Sequence, residues 1–409
     1  MREGKSDDGR GEMTARSCRP RGQATILILA AIAAMGSMAI HMLVPALPLM
    51  ASEFAIGPTQ AQWTISIYLW GLAGGQLLAG PLADRYGRRP VMLAGLAGYA
   101  LAGLLGAAAH ALPMLVAARM MQAVGGAAGV VAARVMVGDL FPRGEAAGKQ
   151  ATLMAIVMIS PALAPLAGGA VTEWIGWRAV LALLGLCGAI AFAAAWRRLP
   201  ETARKRRSIS AGGASGEERS PSLLRSYRRL FANRQFLLTT AALAGASSGL
   251  YMFLANSSFL LIDRFGLSPA EAGGCLLGIA VASIVGTRFV APIERRGDAL
   301  VTGTAFCAGG ALVALALALL GIEGPVPFIA PILLLGVGAG LAGPAAINNV
   351  IFAEEGLAAT AASLAGAVQM LASGAGMMAL GAFSPIDPLR LAIGLALATG
   401  LAFLGALKR

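Results

Sequence analysis

The sequence predicts an all-α integral membrane protein, with twelve transmembrane helices in two pseudo-symmetric halves of six. Three observations lead there. Hydrophobic residues make up 57% of the 409 and charged residues only 13%, where a soluble chain carries about a quarter charged. Twelve windows recur that are long and apolar enough to cross a bilayer. One polar, basic stretch near the middle separates the first six windows from the last six.

A spanning helix needs about 20 mostly apolar residues. Windows of that kind lie in the first half near 24–47, 60–82, 91–109, 112–134, 150–171 and 179–196, and in the second near 236–261, 272–292, 300–320, 327–350, 361–382 and 389–407. The 54 glycines suit helices that approach closely within lipid. Residues 1–22 are polar and charged and read as a disordered cytoplasmic tail, with no cleavable signal. The expected units are then the N-terminal half at 23–197, a flexible basic linker at 198–234 and the C-terminal half at 235–409. The halves also repeat. Pro81 and Pro292 each follow the second span of a half and stand 211 residues apart, and the same offset carries the start of the first span to the start of the seventh. Parallel six-helix halves with a substrate site between them are one transporter plan.

Lysine and arginine set the orientation. With the N-terminus in the cytoplasm, the inner segments hold Arg85, Arg88, Arg89, Arg143, Lys149, Arg295, Arg296, Lys408 and Arg409, and the linker region adds eleven more between Arg197 and Arg234. The outer loops hold only Arg178, Arg264 and Arg390. Both termini are therefore expected inside a cell (inner) membrane crossed many times.

The net charge of +12 is spread over short loops, with no basic stripe of the kind that binds nucleic acid. Cys18, Cys187, Cys275 and Cys307 are far apart in sequence and show no metal or redox spacing. A G-x-G-x-x-G match from Gly336 lies inside an apolar span with no strand before it, so it reads as helix packing. No metal, no cofactor and no direct use of ATP are expected, and the chain is expected to be monomeric.

Chemistry concentrates in a few places. "GPLADRYGRRP", Gly80 to Pro90, sets Gly80, Asp84, Arg85, Gly87, Arg88 and Arg89 between two spans. A positive-inside loop accounts for the arginines but not for the acid and two glycines at that spacing. Arg119 stands inside the fourth span with Gln122 three residues on, on the same helix face. A buried cation is costly unless paired or solvated, so both are expected to face a water-accessible cavity; snorkelling to the headgroups is the plainer alternative. Pro165, Gly168 and Gly169 would kink and thin the fifth span. Asn256 offers a polar group at membrane depth in the seventh. No aspartate or glutamate stands at the centre of any span, which leaves His41 as the one side chain deep in a span that titrates near neutrality. Its alternative is a neutral, hydrogen-bonded histidine, with proton coupling carried by a boundary acid such as Asp139 or absent.

These residues carry a resemblance. "GPLADRYGRRP" resembles the loop signature between spans two and three of the major facilitator superfamily. "VPALPLMASEF", "QWTISIYLWGLAGGQLLAGPLADRYGRRP", "ARMMQAVGGAAG" and "SPALAPLAGGAVTEWIGWR" resemble the bicyclomycin- and chloramphenicol-resistance (Bcr/CflA-type) drug:proton antiporters, well over about 35–200 and loosely beyond. The resemblance implies secondary active export of small amphipathic drugs or toxic compounds by proton antiport and alternating access. It implies that Asp84 contacts a neighbouring helix across the inner gate and holds the outward-facing state. Members of that branch often carry an acid where "AIHMLVPALP" has His41, a departure that puts the proton carrier in doubt. The alternatives are a metabolite exporter or uniporter without proton coupling and, from other classes, a channel or a membrane-embedded enzyme.

Overall fold

The computed structural model describes residues 22–202, 223–354, 357–383 and 387–409. The expected tail (to residue 21), Cys18 and most of the linker (203–222) lie outside the described residues. The described residues form helices and loops, with no strand among them.

Among the described residues, twelve helices are long and apolar enough to span a membrane. They are α1 (Gly22–His41), α2 (Pro58–Tyr86), α3 (Arg88–Ala107), α4 (Leu112–Leu140), α5 (Arg143–Trp174), α6 (Trp177–Arg198), α7 (Arg234–Phe259), α8 (Pro269–Arg288), α9 (Ala299–Leu319), α10 (Pro325–Ile351), α11 (Ala358–Gly381) and α12 (Pro388–Lys408). The sequence marks many of their starts. Proline occupies the first helical position of α2, α8, α10 and α12, where its missing N–H has no partner to lose. Ser268 and Glu271 form a reciprocal cap on α8, and Asn233, Asp298 and Asp387 cap α7, α9 and α12.

Two windows need correction. The first span is not one helix: α1 stops at His41, and a turn at Val44–Ala46 and a short helix Leu47–Glu53 complete the crossing. Pro45 and Pro48 cannot donate backbone hydrogen bonds, and the long helix stops just before them. The fourth window ends at 134, yet α4 continues to Leu140, because Arg134 and Asp139 interrupt the apolar composition without breaking the helix. Part of the expected linker is also helical, over Leu223–Ala232.

The packing repeats with a period of six helices. In the first half α3 packs on α4 and α6, α2 on α4, and α1 on α4, α5 and α6; in the second, α9 packs on α10 and α12, α8 on α10, and α7 on α10, α11 and α12. Two symmetry-related pairs join the halves, α2 with α11 and α5 with α8. Contacts are close because small residues line them: a Cβ at Gly95 or Gly125 would meet the facing helix's backbone, as would one at Gly303 or Gly338. Leu78, Leu101, Leu186, Leu401 and Leu404 stay exposed, as suits a surface solvated by lipid. Twelve crossings bring Gly22 and Lys408 to the same side of the bundle. That side is termed the terminal face, and the other the far face.

Candidate functional site

His41 ends α1, and its Nδ1 lies 2.9 Å from the Ser37 carbonyl oxygen one turn back. A carbonyl oxygen only accepts, so Nδ1 carries the hydrogen and Nε2 keeps a free lone pair. The ring lies 6.2 Å from that of Tyr251 on α7. Both line a cavity of about 310 Å³ between the halves. Ser37, Ser247, Ser283 and Gln369 are its other polar lining residues, with apolar side chains such as Leu243, Leu254 and Ile279 around them. The Gln369 amide donates to the Ser247 hydroxyl at 2.7 Å. Pro165 of α5 borders the same cavity.

Arg119 and Gln122 do not face that cavity, contrary to the expectation. Arg119 is fully buried. Its guanidinium donates to Gln122 Oε1 (2.6 Å), the Ala39 carbonyl (2.9 Å) and the Thr64 carbonyl (3.3 Å), and lies 4.1 Å from the centre of the Tyr68 ring. The acceptors are neutral and come from α1, α2 and α4. The early end of α1 supplies one of them, since the Leu43 N–H bonds to the Ile40 carbonyl and leaves that of Ala39 for Arg119. Arg119 thus ties three helices together.

Asn256 is likewise buried and does not line the cavity. Its Oδ1 accepts from Gln62 Nε2 at 2.7 Å and its Nδ2 donates to the Met252 carbonyl at 2.7 Å, so it bridges α2 and α7 across the halves. The Gln62 Oε1 is buried with no partner.

Pro165, Gly168 and Gly169 sit where α5 meets its neighbours. A Cβ at Gly168 would run into the Met42 carbonyl, and one at Gly169 into that of Pro269. In return a Cβ at Gly273 of α8 would strike the Pro165 carbonyl. The absent side chains let α5 touch the end of the first span and the start of α8.

The charged loop forms its own network at the terminal face. Asp84, largely exposed, pairs with Arg88 at 2.7 Å, while Arg88 reaches the Ala83 carbonyl at 3.0 Å and Asp139 of α4 at 3.4 Å. Asp139 also accepts from the Thr202 hydroxyl at 3.0 Å. Glu201 accepts from the backbone N–H groups of Arg88 (3.1 Å) and Arg89 (3.2 Å), so a carboxylate caps the positive end of α3. Arg89 donates to the Trp196 carbonyl at 2.6 Å, and Arg85 lies over Tyr86. Gly87 turns the chain at φ 104°, where any Cβ would also meet Glu201. Gly80 has open space around it.

The halves are bonded at the far face and midway through the bundle. Thr59 at the start of α2 donates to the Gly381 carbonyl at the end of α11 (2.7 Å), Trp70 to the Leu371 carbonyl (3.1 Å), and the Ala270 N–H at the start of α8 to Glu173 at the end of α5 (3.0 Å). Among the described residues no hydrogen bond or ion pair joins the halves at the terminal face, and Asp84 makes no contact with the second half there. Among the described residues, the bonds between the halves are thus confined to the far face and the middle of the bundle.

Sequence reasoning missed Gln62, Tyr68, Tyr251, Gln369, Glu201 and Arg134. Most are ordinary polar residues that only packing brings into play. Arg134 did carry a signal, as an arginine within an otherwise apolar helix. Cys187, Cys275 and Cys307 are free thiols. Among the described residues no cluster could hold a metal ion.

The family model described as "Major Facilitator Superfamily" matches residues 26–377. The chain is 31% identical to the chloramphenicol resistance protein of Pseudomonas aeruginosa, over 82% of this chain and 78% of that one. It is 31% identical to multidrug resistance protein D of Escherichia coli, over 87% and 88%. Among solved structures, a bacterial homologue of the lysosomal transporter Spinster, inward-facing and occupied, superposes with a TM-score of 0.75 at 15% identity, covering 96% and 98% of the two chains.

Proposed function

We propose that this chain, which belongs to the major facilitator superfamily, is a secondary active exporter of small amphipathic toxic compounds that works by alternating access in exchange for protons. The observation that carries the proposal is the one-sided bonding of two symmetry-related helix pairs, α2 with α11 and α5 with α8, around a central cavity of mixed polar and apolar lining. Rocking one half on the other would part the far-face contacts and bring the terminal-face surfaces together, exposing the cavity to each side in turn. The relatives named for chloramphenicol and multidrug resistance support the substrate class.

The arginines and lysines of the terminal-face loops support a cytoplasmic terminal face in a cell (inner) membrane, and on that reading the conformation described here loads substrate from inside. Asp84, free of the second half in this state, gains a partner when the inner gate closes. His41 holds the transported proton on Nε2, the nitrogen left free by the Nδ1 contact with Ser37. The protein works as a monomer, since both halves of the pathway lie in one chain.

Expression in an efflux-deficient bacterial host tests export: chloramphenicol and related amphipathic compounds should lose potency. Purified protein in vesicles should show saturable uptake and counterflow. Flux that never saturates would make it a channel, and saturable flux indifferent to a pH gradient would make it a uniporter or an uncoupled metabolite exporter.

A further inference from the structure

We propose that the preferred cargo is an amphipathic organic anion, with an acidic head such as a carboxylate or sulfonate on an apolar body, and that Arg134 receives that head as it enters from the terminal face. The proposal rests on the export function above and names its substrate class.

Arg134 stands on α4, six residues before the helix ends at the terminal face. Its direction follows from its neighbours on the helix. Ala123 and Ala127, three and two turns earlier, pack against Gly71 and Gly75 of α2, and Val130, one turn earlier, against Gly36 of α1. Gly125, which touches Gly95 and Tyr99 of α3, lies about 180° round the helix from Arg134. The groove that α4 forms with α2 and α3 on the outer surface holds Ala117, Met121 and Val124, and Arg134 is not among its lining residues. Arg134 therefore stands on the face that α4 turns to α1 and α2, near the terminal face. It is exposed there.

No partner holds it. Among the described residues Arg134 makes no hydrogen bond, ion pair or ring contact, whereas Arg88, Arg119 and Arg264 each make several. Asp139, five residues on, lies about 140° round the helix and is engaged with Arg88 and Thr202. A span keeps an unpaired arginine only at a cost, and a guanidinium fork fits a planar carboxylate or the oxygens of a sulfonate.

The cavity deeper in supports the same class. Its polar lining consists of imidazole, hydroxyl and amide groups, with no aspartate or glutamate. A cationic head would find no countercharge there, while an anionic head finds the hydroxyl donors of Ser37, Ser247, Tyr251 and Ser283. With the terminal face in the cytoplasm, an interior-negative membrane potential also drives an anion outward.

Full-length protein in vesicles decides the matter with three probes: naphthalene-2-sulfonate, neutral chloramphenicol and the cation tetraphenylphosphonium. The sulfonate should be carried with a kcat/KM at least about tenfold above that of the phosphonium, the size of one charge-assisted contact. R134Q should lower the sulfonate-to-chloramphenicol ratio of kcat/KM by about tenfold, chiefly through KM, and R134K should restore most of it. An interior-negative potential should speed sulfonate efflux. Equal transport of sulfonate and phosphonium would overturn the proposal, as would an R134Q that slows all carried probes alike. If R134Q does not fold, the wild-type preference and R134K remain decisive. Flux of chloramphenicol or phosphonium without sulfonate sinks the anion class alone, whereas no saturable flux of any probe sinks the export function with it.

Discussion

Arg119 and Arg134 stand fifteen residues apart on one helix in opposite surroundings. Arg119 lies in the far half of the bundle, fully buried, with three neutral acceptors and an aromatic face around its guanidinium. Arg134 lies near the terminal face, exposed and without a partner among the described residues. The two ends of the bundle differ in the same way. Between the halves, glycines pack and hydrogen bonds form at the far end, and among the described residues no such bond lies at the terminal end. An arginine inside a span is thus not a functional signal by itself. Where its donors are satisfied by the protein it holds helices together, and where they are free it is available to something that enters.

The largest expected effect comes from removing the satisfied arginine. Arg119→Leu leaves the Ala39 and Thr64 carbonyls and Gln122 Oε1 without a donor, at about 1–3 kcal/mol for each buried group. The folded yield after membrane extraction, read by size-exclusion chromatography, should collapse; a normal yield would show that Arg119 does not hold α1, α2 and α4. The next effect sharpens the contrast of the two ends on a single helix. Gly168→Ala drives a methyl group into the Met42 carbonyl and should cost about 1–3 kcal/mol. Gly148→Ala, near the terminal end of α5, meets open space and should be neutral or stabilising by up to about 1 kcal/mol. Thermal unfolding in detergent distinguishes them, and equal shifts would erase the difference between the ends.

Asp84→Asn should separate folding from transport. In this state the largely exposed carboxylate pairs only with Arg88, which Asp139 also holds; a pair with one partner so exposed is worth about 0–1 kcal/mol, so thermal stability should change little. Transport should fall about tenfold through loss of a charge-assisted contact in the other state. Unimpaired transport would reduce the loop to a topology signal. The smallest effect is Gln62→Leu, which removes the bridge to Asn256 at about 1 kcal/mol. Cysteines placed at Thr59 and Gly381 should then crosslink less readily than in the parent protein. Unchanged crosslinking would show that the bridge does not hold the far face shut.

Much of this was legible in the sequence. Span number, the six-plus-six repeat, the charged loop and the small residues of the fifth span all depend on local composition and spacing. Partners distant in the chain were not legible. Gln62 and Asn256 stand 194 residues apart, and Glu201 caps α3 from beyond the sixth span. The expectation that Arg119 faces a cavity failed for a related reason. Its acceptor at Ala39 exists because α1 stops at His41, and composition windows run straight through that break. Arg134 escaped notice because the fourth window ended on it.

Proton-driven export through His41 is tested most directly by uphill efflux from vesicles under an imposed pH gradient, measured for the wild type and His41→Gln side by side. Glutamine keeps hydrogen bonding but cannot titrate in this range. The wild type should concentrate substrate against its gradient. His41→Gln should lose uphill export while keeping substrate binding and downhill counterflow. Uphill export that still follows the pH gradient in His41→Gln would contradict His41 as the proton carrier.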